Sequence, residues 1–198
     1  MSRLKKGIYC LEVGEWFGTL KKKHSVEPVL QLLRDSLLAV PYIHRDIATQ
    51  VELLYYLKKW TQGRHRDYPI LYLAFHGEPG RIKLCKQNGR GTDFDTEDLF
   101  AELQGKCHKR IIHFGACSVL DMHGHIVNRY LRDSDAAAIS GYGGDVDWID
   151  SSAFDMLYLA QLQSNQFTKA GIRAVRNRVM KLAPPLSNEL KFRMVMRR

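Results

Sequence analysis

Two short pairs of residues place reactive side chains directly after apolar segments of this chain. His76-Gly77 follows the run Pro69–Phe75, and Ala116-Cys117 follows Arg110–Gly115. The run Pro69–Phe75 is continuously apolar, which is typical of a parallel strand buried on both faces, and Ile111–Gly115 is predicted as another buried strand. Neighbouring strands lie about 4.8 Å apart, and ligand sites of open α/β sheets gather at the carboxyl ends of the strands. We therefore predict that the imidazole and the thiol form a Cys-His dyad at one edge of a sheet.

The dyad has a defined chemistry. A thiol attacks a carbonyl group as its thiolate, and a nearby imidazole accepts the proton. We predict Cys117 as the nucleophile, His76 as its proton partner, and the backbone N–H groups of Gly77 and Cys117 as donors to an oxyanion. The alternative for Cys117 alone is a buried core thiol, because cysteine is among the most buried residue types.

Length and composition favour one domain over residues 1–198. The 198 residues are 45% hydrophobic, which is enough for one substantial core and little for two. No apolar run approaches the roughly 20 residues that span a bilayer, so no membrane association is expected. The basic start Met1–Lys6 is no signal peptide, because Glu12 and Glu15 interrupt the apolar stretch after it. These features predict a cytoplasmic protein.

The cysteine pattern argues against a metal centre or a disulfide framework. Cys10, Cys85, Cys107 and Cys117 show no CxxC spacing. His123 and His125 follow Cys117 closely, but no second Cys/His pair has ligand spacing. We expect free thiols, no metal site and no cofactor.

The positive charge is concentrated near the C-terminus. Of the formal net charge of +9, the segment 169–198 carries +8. Local basicity indicates a local anionic partner, such as a nucleotide or a phosphate, or no anionic partner at all, rather than a nucleic-acid coat. Interleaved aromatic residues, which single-stranded nucleic-acid binding needs, are nearly missing. Nucleic acid is therefore not expected as a partner.

Hydrophobic periodicity predicts strands alternating with helices, which is typical of a doubly wound sheet. We predict a single-domain three-layer α/β/α sandwich with a mostly parallel sheet. The basic segment 183–198 is expected to contain an edge strand or to remain a tail. The predicted strands are Gly7–Val13, Tyr42–Arg45, Pro69–Phe75, Ile111–Gly115 and Ala136–Gly141, with a hairpin from Gly80 that turns at Asn88-Gly89. The predicted helices are Val26–Ala39, Thr49–Trp60, Asp95–Leu103, Asp121–Leu131, Asp150–Leu162 and Thr168–Leu182.

Two segments make the chain resemble a known family. Leu71–Gly77 and Ile111–Ser118 resemble the His-Gly and Ala-Cys elements of caspase-like cysteine proteases of clan CD, including the bacterial CHAT and separase-type branches. A third match is Ala137–Leu159, where a strand, a loop with Gly and Asp, and a helix follow the cysteine. The resemblance spans roughly 7–181 and implies a caspase-like fold and cysteine endopeptidase activity on protein or peptide substrates.

Other features depart from the caspase pattern. Gly115 stands where caspases have a glutamine before Ala-Cys, and the sequence shows no evident processing linker. Activation by self-cleavage is therefore not expected. The compact length favours an effector module that is switched by a ligand or by a regulatory partner protein. The resemblance to the bacterial members implies a role in antiviral defence, with an anionic nucleotide as the candidate activator.

Two carboxylates after the strand Ala136–Gly141 are candidates for substrate binding. Asp145 and Asp147 lie in the Gly-rich loop that follows it, and a carboxylate at a pocket floor selects a basic P1 residue. Equally, these acids could cap the next helix or accept from turn amides, as Asp commonly does. The cap itself is expected at Asp150 or Ser151.

A different function class fits the same element order. Because a fold does not determine function, a non-catalytic nucleotide-binding or signalling module on this sheet is the alternative to the protease.

Overall fold

The computed structural model describes residues 5–17, 21, 24–87 and 90–197. Its strands are β1 (Ile8–Val13), β2 (Tyr42–Ile47), β3 (Ile70–Ala74), β4 (His76–Glu78), β5 (Arg81–Gln87), β6 (Arg90–Asp95), β7 (Ile111–Phe114), β8 (Ala138–Tyr142) and β9 (Phe192–Met196). Six of them form the main sheet, in the order β2-β1-β3-β7-β8-β9. All its pairs are parallel except β8 with β9. The other three form a small antiparallel sheet, β4-β5-β6.

Helices cover both faces of the main sheet. The helices are α1 (Glu27–Asp35), α2 (Gln50–Thr61), α3 (Thr96–Glu102), α4 (Gly124–Ser134), α5 (Trp148–Leu162), α6 (Lys169–Leu182) and α7 (Pro184–Glu189). Buried residues of α2, α3 and α4 belong to one core, and those of α1, α5 and α6 to the other. The expected three-layer, mostly parallel α/β/α sandwich is confirmed.

Strand β1 shows how the sequence produces two cores. Side chains of a strand point to alternate faces. Accordingly, Tyr9, Leu11 and Val13 join the core under α2, while Ile8 and Cys10 join the core under α1. A strand that is covered on both faces is mostly apolar, which explains the uninterrupted run in β3. Strands β1 and β7 follow the same pattern with one buried polar residue each, Glu12 and His113.

Two elements differ from the sequence-based prediction. His76–Glu78, which was not assigned to any predicted strand, is strand β4, because the ladder with β5 satisfies its backbone groups. Residues Pro184–Glu189, for which no helix was predicted, form α7, which can begin with two prolines because proline is well tolerated in the first turn of a helix. The predicted turn at Asn88-Gly89 lies outside the described residues.

Two helices begin differently from what the sequence suggests. Helix α5 begins two residues earlier than expected and is capped by Asp147, which was one of the stated alternatives for this residue, so the expected cap at Asp150 or Ser151 is wrong. Asp95 precedes α3, but its carboxylate pairs with Arg81 across the hairpin at 2.7 Å and makes no capping bond.

The C-terminal segment packs onto the main sheet. Helix α7 follows α6, and β9 lies antiparallel to β8 at the edge of the sheet. Among the described residues, no helix has the length and apolar character to cross a membrane.

The core of α2 provides a stability test. Leu57 is fully buried, whereas Val51 on the same helix is 77% exposed. We expect Leu57→Ala to lower the free energy of unfolding by about 2–5 kcal/mol, because it leaves a cavity. Val51→Ala should change it by less than about 0.5 kcal/mol. Urea unfolding of both variants tests this, and equal effects would contradict the assigned burial.

Candidate active site

The ends of β3 and β7 bring the predicted dyad to one cleft. These strands pair in parallel, with Leu73 opposite Phe114. The segments that follow therefore leave the same edge of the sheet. His76 and Cys117 both line a cleft of about 270 Å³ at this edge.

The ring of His76 is held by the loop after β1. Its Nε2 atom lies 2.6 Å from the carbonyl oxygen of Trp16. A carbonyl only accepts hydrogen bonds, so Nε2 carries the proton and Nδ1 of the neutral ring is free to act as a base. The Trp16 indole also packs edge-on against the imidazole, with centroids 4.9 Å apart. Ring orientation and tautomer are therefore both constrained.

A buried carboxylate holds Trp16 in turn. Glu12 near the end of β1 is only 1% exposed. Its Oε1 accepts from the Trp16 indole N–H at 2.7 Å and from the Val26 N–H at 2.8 Å. Its Oε2 accepts from the Ser25 hydroxyl and from His44 Nε2, both at 2.6 Å. One carboxylate thus ties residues from both ends of the loop that supplies the carbonyl to His76.

Cys117 lies in a tight bend after β7. Its Sγ atom is 3.8 Å from the carbonyl oxygen of Val146. The next residue, Ser118, has a φ of +52°, a backbone conformation that is uncommon without glycine. The Ser118 N–H donates to Gly144, whereas the Cys117 N–H donates to no backbone carbonyl in the described part of the chain. The bend leaves a backbone donor beside the thiol.

Gly77 allows β4 to touch this bend. A Cβ atom at Gly77 would lie 2.4 Å from Cγ2 of Val119 and 2.6 Å from the carbonyl oxygen of Cys117. Only glycine fits such an approach. The two residues predicted as oxyanion donors therefore belong to segments in direct contact.

The two predicted substrate-binding acids have other partners. Asp145 accepts a hydrogen bond of 2.8 Å from the Ser118 hydroxyl. Asp147 caps α5 by accepting from the N–H groups of Ile149 and Asp150. The side chain between them, Val146, lines the cleft, but neither acid is among its lining residues.

A carboxylate that sequence reasoning missed lies at the floor of the cleft. Asp155 of α5 is 2% exposed. It accepts from the Tyr72 hydroxyl at 2.6 Å, from His113 Nε2 at 2.7 Å and from the Tyr142 hydroxyl. Burial, aided by the nearby carboxylate, raises the pKa of both tyrosines well above the usual range, which keeps them protonated as donors. Gly115 makes room for this arrangement, since a Cβ there would lie 2.4 Å from the Tyr72 ring.

The remaining cysteines have environments that suppress reactivity. Cys10 and Cys107 are buried, and burial raises the pKa of Cys10 well above its usual range and that of Cys107 to about 12. Burial also raises the pKa of the half-buried Cys85. Cys117 is the cysteine that lines the cleft with His76.

One cluster in the described residues has metal-ligating side chains. Donor atoms of Glu12, His44 and Asp46 lie within 4.8 Å of one another. Both oxygens of Glu12 already accept hydrogen bonds from four protein donors, as given above. We therefore assign this carboxylate to organising the loop rather than to a cation.

The Glu12 cluster predicts an asymmetry between two substitutions. Glu12→Leu removes every acceptor and should lower the free energy of unfolding by about 3 kcal/mol or more, because buried donors lose their partners. Glu12→Gln keeps one oxygen for Trp16 and Val26 and should cost clearly less. Chemical denaturation of the two variants measures the difference, and equal losses would contradict the assigned bonds.

Comparison with solved structures agrees with the architecture. The crystal structure of caspase-1 from Spodoptera frugiperda is similar to this chain with a TM-score of 0.55 and 17% sequence identity. The match covers 90% of this chain and 76% of the caspase chain. At this identity the similarity shows the fold alone, and the expected caspase-like fold is confirmed.

The sequence comparisons define the family. A search among curated proteins finds no match. Residues 5–196 match a family model whose description is "Family of unknown function (DUF6642)". Because the match spans nearly the whole sequence, the chain belongs to this family of unknown function.

Proposed function

We propose that the protein is a caspase-like cysteine endopeptidase with Cys117 and His76 as its dyad. The observation that supports the proposal is the shared cleft, which both Cys117 and His76 line, together with the bond from His76 Nε2 to the Trp16 carbonyl that sets the tautomer of the imidazole. That tautomer leaves Nδ1 of His76 as the base. The fold similarity to a caspase supports the same reaction class.

The reaction follows from these groups. His76 takes the thiol proton, and the sulfur of Cys117 adds to the scissile carbonyl carbon. The backbone N–H groups of Cys117 and Gly77 stabilise the negative oxygen of the tetrahedral intermediate. As the C–N bond breaks, His76 gives its proton to the departing amine. Water, deprotonated by the same imidazole, then hydrolyses the thioester and restores the thiol.

Activation by a ligand or a partner protein is the finer form of this hypothesis. In the described structure no hydrogen bond joins the Cys117 thiol to the His76 ring. Catalytic hydrogen bonds are often long in unliganded enzymes and tighten when the complex forms. An anionic nucleotide attracted by the basic segment 169–198, or a regulatory protein, would supply the trigger. A cytoplasmic effector of antiviral defence, as in the bacterial CHAT-like branch, is the role we propose, and the free cysteines fit a reducing compartment.

The alternative is a non-catalytic nucleotide-binding module. A basic concavity of about 540 Å³ near the amino ends of β1, β3 and β7 favours it, since Lys6, Arg66 and Lys109 line this surface beside Phe167. Such a module would need neither the thiol nor the imidazole.

Peptide cleavage separates the two hypotheses. We expect the wild type to cleave members of a peptide library, assayed with and without nucleotides, and Cys117→Ala or His76→Ala to lose about 10³-fold or more in kcat/KM. Cys85→Ala is the matched control and should retain activity, because Cys85 is not among the residues that line the cleft. Equal cleavage by all variants would contradict the assignment of Cys117 and His76 as the dyad. Nucleotide binding without cleavage would favour the non-catalytic nucleotide-binding module.

A further inference from the structure

The walls of the cleft are apolar. The side chains that form them come from the loop after β1, the end of β3 and the start of α5: Trp16, Phe17, Val26, Phe75, Val146 and Trp148. None of the lining residues in the described structure is a lysine or arginine. An acidic side chain of a substrate would find no lysine or arginine partner among these residues.

The aromatic residues at the rim keep part of their surface uncovered. The rings of Trp16 and Trp148 meet edge-to-face with centroids 4.6 Å apart. His24 lies between Trp148 and Phe17, and Phe17 is 52% exposed. Covering such surface with an apolar side chain gains about 25 cal/mol per Å².

Three polar side chains of the cleft already have partners. Asp155 accepts from two tyrosine hydroxyls and one histidine. The hydroxyl of Ser151 donates to the Asp147 carbonyl at 2.7 Å, and His76 Nε2 is bound to Trp16. A lysine or arginine of a substrate would therefore lose its hydration and meet a carboxylate that other donors occupy.

We propose that this cleft binds an uncharged apolar side chain of the substrate, with Trp148 and Trp16 as its specificity-determining residues. The inference rests on the proposed function. It replaces the expected preference for a basic P1 residue, for which Asp145 and Asp147 were the candidate binding residues. A volume of about 270 Å³ matches one side chain, because sites for drug-sized ligands begin at about 300 Å³.

Binding to an inactive variant tests the preference without needing turnover. Cys117→Ala protein is titrated by calorimetry with four peptides, acetyl-Ala-Ala-X-amide, in which X is Leu, Phe, Arg or Asp. We expect the Leu or Phe peptide to bind about tenfold or more tightly than the Arg and Asp peptides. Adding Trp148→Ala should reduce that ratio to about threefold or less, while Ile149→Ala should leave it unchanged. Ile149 is the matched control, because it is 69% exposed and is not among the lining residues.

Each outcome decides the inference separately from the proposed function. Tightest binding of the Arg peptide, abolished by Asp155→Asn, would overturn it and make Asp155 the specificity residue. Equal binding of all four peptides, or binding of none, would also overturn it, even if the wild type cleaves peptides. Apolar preference with no cleavage by the wild type would uphold the inference and leave a peptide-binding protein instead of a protease.

Discussion

The parallel pairing of β3 with β7 is the constraint on which the site depends. The Gly115 N–H donates to the Leu73 carbonyl at 2.9 Å, so the two strands stay paired to their last residues. The segments that carry His76 and Cys117 diverge only after this bond. Since backbone hydrogen bonds and two buried cores fix the strands, the groups are held on a rigid support, as catalytic geometry requires.

A second constraint comes from a charge buried near the site. Glu12 offsets its desolvation with four hydrogen bonds, one of which holds Trp16, the residue whose carbonyl contacts His76. Removing a partner from a buried charge is strongly destabilising. The orientation of the His76 imidazole therefore depends on Trp16, and Trp16 is held in turn by a buried carboxylate of strand β1.

The sequence was sufficient to predict that His76 and Cys117 follow buried strands. It was not sufficient to predict the hydrogen bonds between residues that are far apart in the chain. Continuous apolar runs identified β3 and β7, and the positions of His76 and Cys117 at their ends follow directly. The bond between Tyr72 and Asp155 joins residues 83 positions apart, and periodicity carries no information about such a pair. One sequence signal did point to such bonds: an acidic residue within an apolar segment, as at Glu12 and Asp155. A carboxylate that is buried at such a position must accept hydrogen bonds from other residues. Asp147 had two predicted roles, substrate binding and capping of the next helix. The choice between them depended on the residue at which α5 begins, which the sequence does not determine.

The rate of Cys117 alkylation tests the central claim most directly. Iodoacetamide at pH 7 is reacted with the wild type and with His76→Ala, and the modified cysteines are identified by mass spectrometry. If the imidazole assists the thiol, Cys117 in the wild type should react about tenfold or more faster than in the variant. The buried Cys10 and Cys107 should resist in both proteins. Identical Cys117 rates in the two proteins, or a Cys117 that reacts only after denaturation, would contradict the account.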